Sequence, residues 1–403
     1  MVTDDRMEDG RQVFVSKAPK LGFCPPLDGL RALAVIMVIL AHAQYEVFGS
    51  LVAGVDLFFV VSGFLITTLL MEERRNDDHI DIRKFYVRRI LRLFPPLYVA
   101  LAMTLVASLL IGNQHFIHQT WNDSLSAFFY VYHVVHPVHA ELLTGKAPEL
   151  RPFIHLWSLS VEEHFYLVAA VMVAVVIKRR LVLPLAALFI GLWIAIGIAR
   201  LTGHVGFKMM WYQRPDSLLL GVVAAVVNAS MPTEWSDATK RLAGRLATAA
   251  VLVAGVTIFV GTKFAKPLGA WVHFIPPEHR SLHTGTYWGE FGFTIVAACA
   301  AVITVVTVRH REHWVARVLS WRPLLPIGRR SYLLYLFHVP IWIILLKIFP
   351  GSETSSSKGG LVLLLYLIFF PLTVELVHRY VEKPSLRLKS RFEGKGIEGI
   401  PIS

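Results

Sequence analysis

The sequence predicts an all-α polytopic membrane protein of about ten transmembrane helices with both termini in the cytosol, and three observations carry that prediction. Hydrophobic residues make up 55% of the chain against only 17% charged, far from the balance of an ordinary soluble domain. Apolar runs of about 20 residues, the length that crosses a bilayer, recur between turn and charge signals. Lysine and arginine then divide unevenly between alternate loops, 29 on one side and nine on the other, with Arg31 and Lys347 inside helices. Basic loops stay in the cytosol, which places both chain ends there. Contact with anionic lipid also accounts for most of the net charge of +12, so no nucleic-acid partner is called for.

The expected segments, in order, are 28–45, 51–71, 91–112, 155–177, 181–199, 216–230, 244–262, 289–308, 327–348 and 360–379. Residues 1–26 mix acids and bases without an apolar core, unlike a secretory signal peptide, and are expected to form a cytosolic tail. A basic cytosolic tail, 385–403, follows the transmembrane domain of 27–384 and is too short for a soluble carbohydrate-modifying domain. Cys24 and Cys299 lie too far apart in the chain to outline a disulfide framework or a metal site, and both are expected to be structural.

The first segment contains Asp28, Arg31 and His42, and charged groups inside a span cost roughly 2.5–3.5 kcal/mol each on insertion scales. Spacings of three and four put Asp28, Arg31, Val35, Val38 and His42 on one helix face, polar at both ends and apolar between. Such a stripe suits a pathway inside the bundle; an Asp28–Arg31 anchoring pair with an interfacial histidine is the plainer alternative. The second segment enters with "GVDLFF", so Asp56 lies at a depth similar to His42. Before the third, "RKFYVRRILRLFPP" sets Arg83, Lys84, Arg88, Arg89 and Arg92 around two aromatic residues. Arginine forks bind phosphate oxygens, although inner loops are basic in any case.

The outer loop 113–154 carries His133, His136 and His139, but Pro137 interrupts the helical geometry that a zinc site would need, and no metal is expected. Its Trp121, Phe128, Phe129, Tyr130 and Tyr132 are expected to fold over an outer cavity and offer flat faces to a sugar. The fourth segment opens "HLWSLSVEEHFYL", which puts His155, Ser158 and Glu162 on one face, with Trp157 and Glu163 beside them in the outer half of the span. Arg214 and Asp216 begin the sixth segment, to hold acceptor hydroxyls, to pair with Glu162 or to close the helix start as an ion pair. In the ninth, Ser331, Tyr335 and His338 share a face that suits a polar tunnel wall or hydrogen-bonded packing. Glu375 and Arg379, four apart, read as a structural pair.

Six blocks in order, "LDGLRALAVIMVILAH", "GVDLFFVVSGFLI", "RRILRLFPPLY", "HLWSLSVEEHFYL", "RPDSLLLG" and "SYLLYLFHVPI", resemble the acyltransferase 3 family of integral-membrane O-acyltransferases from about Pro26 to Pro384. The resemblance implies transfer of an acyl group, commonly acetyl, from cytosolic acyl-CoA to a hydroxyl of a sugar-containing acceptor: an envelope glycan, a glycolipid or a glycosylated metabolite. It marks Arg31 and His42 as the functional pair of the first helix, and Arg89 and Arg92 as the arginine pair of the third. His164 stands where the family carries glutamine.

Acyl transfer from a thioester to an alcohol needs a base for the alcohol proton and donors for the tetrahedral oxyanion. His42 is the candidate base with Asp56 to orient it, and Glu162 or Glu163 are the competitors. Direct transfer and an acyl-histidine intermediate both remain open. Acyl-CoA, and acetyl-CoA first, is the expected donor, held through Arg31, Arg88, Arg89 and Arg92, with Ser331, Tyr335 and His338 along its pantetheine arm. His155, Trp157, Ser158, Arg214 and Asp216 are the candidate acceptor contacts. The expected setting is a bacterial inner membrane, with lipid around the chain and a separate extracytoplasmic protein as a further partner. A proton-coupled transporter or flippase is the rival function, because intramembrane acids and histidines also serve proton relays. No inverted repeat, and no Gly-rich phosphate loop of an ATP-driven machine, stands out in support of it.

Overall fold

A lipid-embedded backbone must satisfy its own N–H and C=O groups, so apolar runs become helices. In a computed structural model the described residues are 7–8, 11–12, 15–43, 45–77, 79–111, 114–136, 151–178, 181–201, 215–262, 264, 288–351 and 356–390. Among the described residues, nine helices are long and apolar enough to cross a membrane, and Asp216–Ser230 is apolar but shorter. The helices are α1 (Pro25–Ala43), α2 (Gly54–Asp77), α3 (Ile82–Ile111), the non-spanning α4 (Gln114–Phe128), α5 (Leu156–Lys178), α6 (Val182–Leu201) and α7 (Pro215–Ser230). They continue as α8 (Asp237–Val260), α9 (Trp288–Arg309), the short α10 (Trp314–Leu319) and α11 (Leu324–Arg329), then α12 (Ser331–Ile348), α13 (Ser356–Val377) and α14 (Lys383–Ser390). The ten expected segments all overlap these helices, although the ninth, 327–348, crosses from α11 into α12 and the sixth falls on the shorter α7.

The third segment departs most from its expected limits. It begins at Ile82 rather than at residue 91, so the basic run is helical and Pro95 and Pro96 lie inside the helix. A helical proline frees the carbonyl four residues earlier, and inside a bundle that carbonyl needs another donor. Pro95 frees the Leu91 carbonyl, which accepts from the Ser385 hydroxyl, and the Tyr332 hydroxyl donates to Leu93 O at 2.6 Å. Pro340 in α12 likewise frees Leu336 O, and His155 Nε2 lies 3.3 Å from it.

The chain divides into two compact units. The first holds Met1–Ile82 and His164–Arg329, the second Arg83–Glu163 and Arg330–Glu393. In the first unit α2 and α7 approach through paired glycines: a Cβ on Gly63 would lie 2.3 Å from Leu218 O, and one on Gly221 2.3 Å from Val60 O. Close backbone approach through small residues is a common way for helices to associate where no hydrophobic drive exists between them. Gly221→Ala forces the two backbones apart and is expected to destabilise the protein by about 1–3 kcal/mol, read as a lower Tm of the detergent-solubilised chain.

The first unit also captures part of the amino-terminal tail, which the sequence marked only as a polar cytosolic segment. Glu72 Oε1 accepts from Leu21 N at 2.7 Å, Arg75 donates to Ala18 O at 2.6 Å, and Arg311 donates to Leu21 O at 3.0 Å and Phe23 O at 3.2 Å. Helix-end side chains here pair backbone groups that an extended strand leaves open. Glu72 and Glu73, both buried, are explained the same way, Glu73 Oε1 accepting from Asp81 N at 2.9 Å.

Candidate active site

In the first unit, α1 carries the Arg31–His42 stripe. Val35 and Val38 are fully buried, Arg31 and Asp28 are half-buried, and His42 at the last turn is exposed. His42 Nδ1 lies 2.9 Å from Val38 O, its own helix carbonyl four residues back. A carbonyl accepts only, so in the neutral ring Nδ1 carries the hydrogen. Asp28 pairs with Arg329 at 3.5 Å, and that guanidinium also stands 5.2 Å over the Phe23 ring. The apolar middle of the stripe is packed rather than open, because a Cβ on Gly54 of α2 would meet Val38 Cγ2 at 3.0 Å.

Asp56 lies in the first turn of α2 and is fully buried, accepting a hydrogen bond from Ser217 Oγ at 2.7 Å. Asp216, beside Ser217 at the start of α7, is also fully buried. Two carboxylates without solvent at adjoining helix starts are expensive, and the α2 and α7 N-termini supply favourable dipoles to offset them. Arg214 lies outside the described residues.

In the second unit the polar residues of α5 separate into two groups. His155, Ser158, Tyr335 and His338 form a buried seam between α5 and α12. The Tyr335 hydroxyl donates to His155 O at 2.7 Å and lies 2.5 Å from Ser158 Oγ, and the His155 ring packs 4.8 Å from that of His338. His338 Nδ1 is 2.6 Å from Tyr335 O. The faces expected to serve acceptor and donor separately are thus bonded to each other here. Trp157 is buried beside them, and Ser331 at the head of α12 is fully buried with no hydrogen-bond partner for its hydroxyl.

The second group is Glu162 and Glu163 with α3. Arg89 and Arg92 lie within Coulombic range of the Glu163 carboxylate, as does Glu162. Glu163 Oε1 is buried without a hydrogen-bond partner, and the Tyr130 and Tyr332 side chains stand close enough to feel its charge. Sequence alone set the arginine pair at the inner mouth and the glutamates in the outer half of a span. The early start of α3 explains the meeting, since at 1.5 Å per residue Arg89 and Arg92 stand about 10–15 Å inside the helix rather than ahead of it. Arg88 is half-buried on the same helix, and Arg89 also stands 5.8 Å over the Phe85 ring.

A third cluster was not anticipated. Asp123 of α4 is fully buried and gathers the Tyr132 hydroxyl at 3.1 Å, Arg151 Nη2 at 3.3 Å and His136 Nε2 at 3.5 Å. Arg151 Nη1 donates to His136 Nδ1 at 3.1 Å, and His136 Nε2 lies 3.1 Å from Ser126 Oγ, so both ring nitrogens are engaged within the protein. The available signal was the buried face of α4, where Phe116, Thr120, Asp123 and Ala127 follow one another at three- and four-residue spacing with an acid in the stripe. The aromatic residues expected to form a sugar platform divide here: Tyr130 and Tyr132 are buried, while Trp121, Phe128 and Phe129 are exposed. His139 lies outside the described residues.

Burial first, then the Arg151 charge, holds His136 below the ordinary imidazole value of 6.5. The folded state therefore binds fewer protons than the unfolded one, and its stability is lost as pH falls from 6.5 through the lowered folded value. Tm is expected to fall over that window in the unaltered chain and to lose this component of pH dependence in His136→Gln.

The acyltransferase domain family matches residues 26–377. YrhL of Bacillus subtilis (strain 168), whose name makes it a candidate peptidoglycan O-acetyltransferase, is 30% identical over 373 residues, covering 90% of this chain and 55% of YrhL. The O-acetyltransferase OatA of Staphylococcus aureus (strain NCTC 8325 / PS 47) is 29% identical over 373 residues, 90% of this chain and 57% of OatA. The chain thus spans little more than half the length of these relatives. No solved structure matches it. A match running from the first buried turn of α1 to the end of α13 takes in the helices that carry both His42 and Glu163, and the protein belongs to the acyltransferase 3 family of membrane proteins.

Proposed function

We propose that this protein is a transmembrane O-acetyltransferase that moves an acetyl group from acetyl-CoA to a hydroxyl of a sugar-containing envelope component, peptidoglycan being the acceptor that the relatives' names favour. The observation that carries this reading is the family match over the helix that bears the Arg31–His42 stripe, with His42 Nδ1 held by Val38 O. His42 Nε2 takes the proton of the acceptor hydroxyl as its oxygen attacks the thioester carbonyl. The tetrahedral intermediate then collapses, the C–S bond breaks, and the imidazolium returns the proton to the coenzyme A sulfur. Asp56 supports the developing imidazolium charge.

Arg31, Arg88, Arg89 and Arg92 hold the donor's phosphate charges, with Arg89 and Arg92 also offsetting Glu163. Glu162 and Glu163 are the alternative bases. Of the α12 face, the Ser331 hydroxyl has bonding capacity to spare for the pantetheine arm, while Tyr335 and His338 line its course from within the seam. His155, Trp157, Ser158, Arg214 and Asp216 serve the acceptor. The protein works in the bacterial inner membrane with its termini in the cytosol, and a separate extracytoplasmic protein completes transfer to acceptors that the membrane domain does not reach.

Mass spectrometry of envelope glycans and lipids from cells with and without the gene tests this directly. One acetyl increment on a glycan that depends on the gene is the expected result. Unmodified glycan or lipid that merely changes sides of the membrane would favour transport and sink the reading.

A further inference from the structure

Arg309 is the last residue of α9 and of the apolar span that α9 forms, so its guanidinium stands at the depth where lipid headgroups begin. It stacks on Trp235, the residue before the N-cap of α8, with its central carbon 5.2 Å from the ring centroid. Arg309 Nη2 donates to Pro232 O. The other two nitrogens, Nε and Nη1, are buried without hydrogen-bond partners, and so is the indole Nε1 of Trp235. Among the described residues no charged group acts on Arg309, although Glu234 and Asp237 lie close to Trp235 in the chain, both exposed. Arg151, Arg329, Arg330 and Arg379, by contrast, each have a carboxylate within 3.5 Å. Buried donors without acceptors are costly, and three in one stacked pair call for a ligand. Arg309 and Trp235 are only half-buried as whole residues, so a small movement of the arginine arm opens these groups to one.

The donor set names the chemistry of that ligand. Guanidinium and indole nitrogens donate and never accept, and here they surround a positive charge that nothing in the protein offsets. A phosphate ester supplies the negative charge and several acceptor oxygens, in charge-assisted bonds. The surroundings name its source. The chain after Arg309 lies along α8: a Cβ on Gly244 would meet His313 Cδ2 at 2.9 Å, and Trp314 Nε1 donates to Thr248 Oγ1 at 2.9 Å. Trp314, Val318 and Trp321 are exposed there, together with Arg241, Arg245 and Arg317. Exposed tryptophans and cations at the end of a span are the composition of a membrane interface, where acyl chains cover the apolar groups and headgroups meet the basic ones.

We propose that Trp235 and Arg309 form a phosphate site that holds the headgroup of an anionic phospholipid against the α8 and α9 ends. The site lies wholly within the first unit and is independent of the acyl-transfer reading. Inorganic phosphate and coenzyme A offer the same oxygens, but neither carries acyl chains for the exposed Trp314, Val318 and Trp321. The unoffset guanidinium favours a headgroup with net negative charge over a zwitterionic one.

The test uses the full chain purified in detergent, with phosphatidylglycerol, phosphatidylcholine, inorganic phosphate and coenzyme A as separate probes, read by Tm and by native mass spectrometry of retained lipid. Phosphatidylglycerol at several times its Kd is expected to raise Tm by about 2–4 °C, and phosphatidylcholine and inorganic phosphate by less. Trp235→Phe keeps a ring under the guanidinium and removes the indole donor; it is expected to weaken phosphatidylglycerol binding about tenfold, the scale of one hydrogen bond to a charged group. Arg309→Gln is expected to weaken it at least as much, with any response to coenzyme A unchanged. Arg245→Gln, an equal loss of charge on the exposed face of α8, is expected to retain lipid as the unaltered chain does. Undiminished phosphatidylglycerol binding in Trp235→Phe overturns the inference, even if Arg309→Gln proves too unstable to measure. An equal loss in Arg245→Gln overturns it too, because a diffuse basic face would then suffice. A response to inorganic phosphate or coenzyme A that vanishes in Arg309→Gln assigns the site to a free phosphate and overturns the lipid.

Discussion

Replacing His42 by alanine is expected to lower acetyl transfer by about 10²–10⁴-fold, the usual contribution of a positioned general base. The fold should survive the change, because His42 is exposed at the end of α1 and its Nδ1 bond goes to its own helix, four residues back. Turnover measured with labelled acetyl-CoA in membranes, beside a protein quantity and Tm equal to those of the unaltered chain, checks the expectation. Full turnover in His42→Ala would move the base to Glu162 or Glu163. Asp56→Asn is the useful companion, since asparagine can still accept from Ser217 Oγ while losing the charge that supports an imidazolium. A drop in kcat without a drop in Tm then separates a role toward His42 from simple closure of the α2–α7 contact.

The second large effect concerns Arg89 and Arg92. As phosphate ligands they would simply raise KM for acetyl-CoA when both are replaced by alanine. Their place beside Glu163 changes that expectation. Removing both cations takes the nearby positive charge from the buried Glu163 carboxyl, and the upper bound on that loss is the roughly 3–5 kcal/mol of breaking a fully buried ion pair. Both arginines are half-buried, so the loss is expected toward or below the lower end of that range. Arg89→Ala with Arg92→Ala should therefore show a reduced Tm as well as reduced transfer. Adding Glu163→Gln to the pair removes the ionisable carboxyl and is expected to restore Tm while transfer stays low. If the triple variant is no more stable than the double, the arginines do not offset Glu163. If the double variant keeps its Tm and only KM rises, they act on the donor alone.

Tryptophan in place of Val35 or Val38 looks from sequence like a way to plug a channel along α1. Val38 touches α2 at the Gly54 approach, however, so a larger side chain there disturbs helix packing before it tests any passage.

Hydropathy and charge are properties of contiguous residues, so the helices and their order were legible along one dimension. The apolar helices, nine of them long enough to span among the described residues, the shared face of Arg31 and His42, and the polar faces of α5 and α12 all come from periods of three to four residues or from apolar length. Partnership across the bundle was not legible, because it depends on how deep each helix starts and which faces meet. The early start of α3 carried Arg89 and Arg92 to Glu163, reversing an expected separation across the bilayer. Pro340 made a carbonyl available, and only packing decided that His155 would answer it. Asp123 and Arg151 are far apart in the chain and unremarkable singly; burial together gave them a role. Apolar length is enough to make a helix in lipid, whereas a buried polar group takes whatever partner the packed helices bring within reach, and that choice exists only in three dimensions.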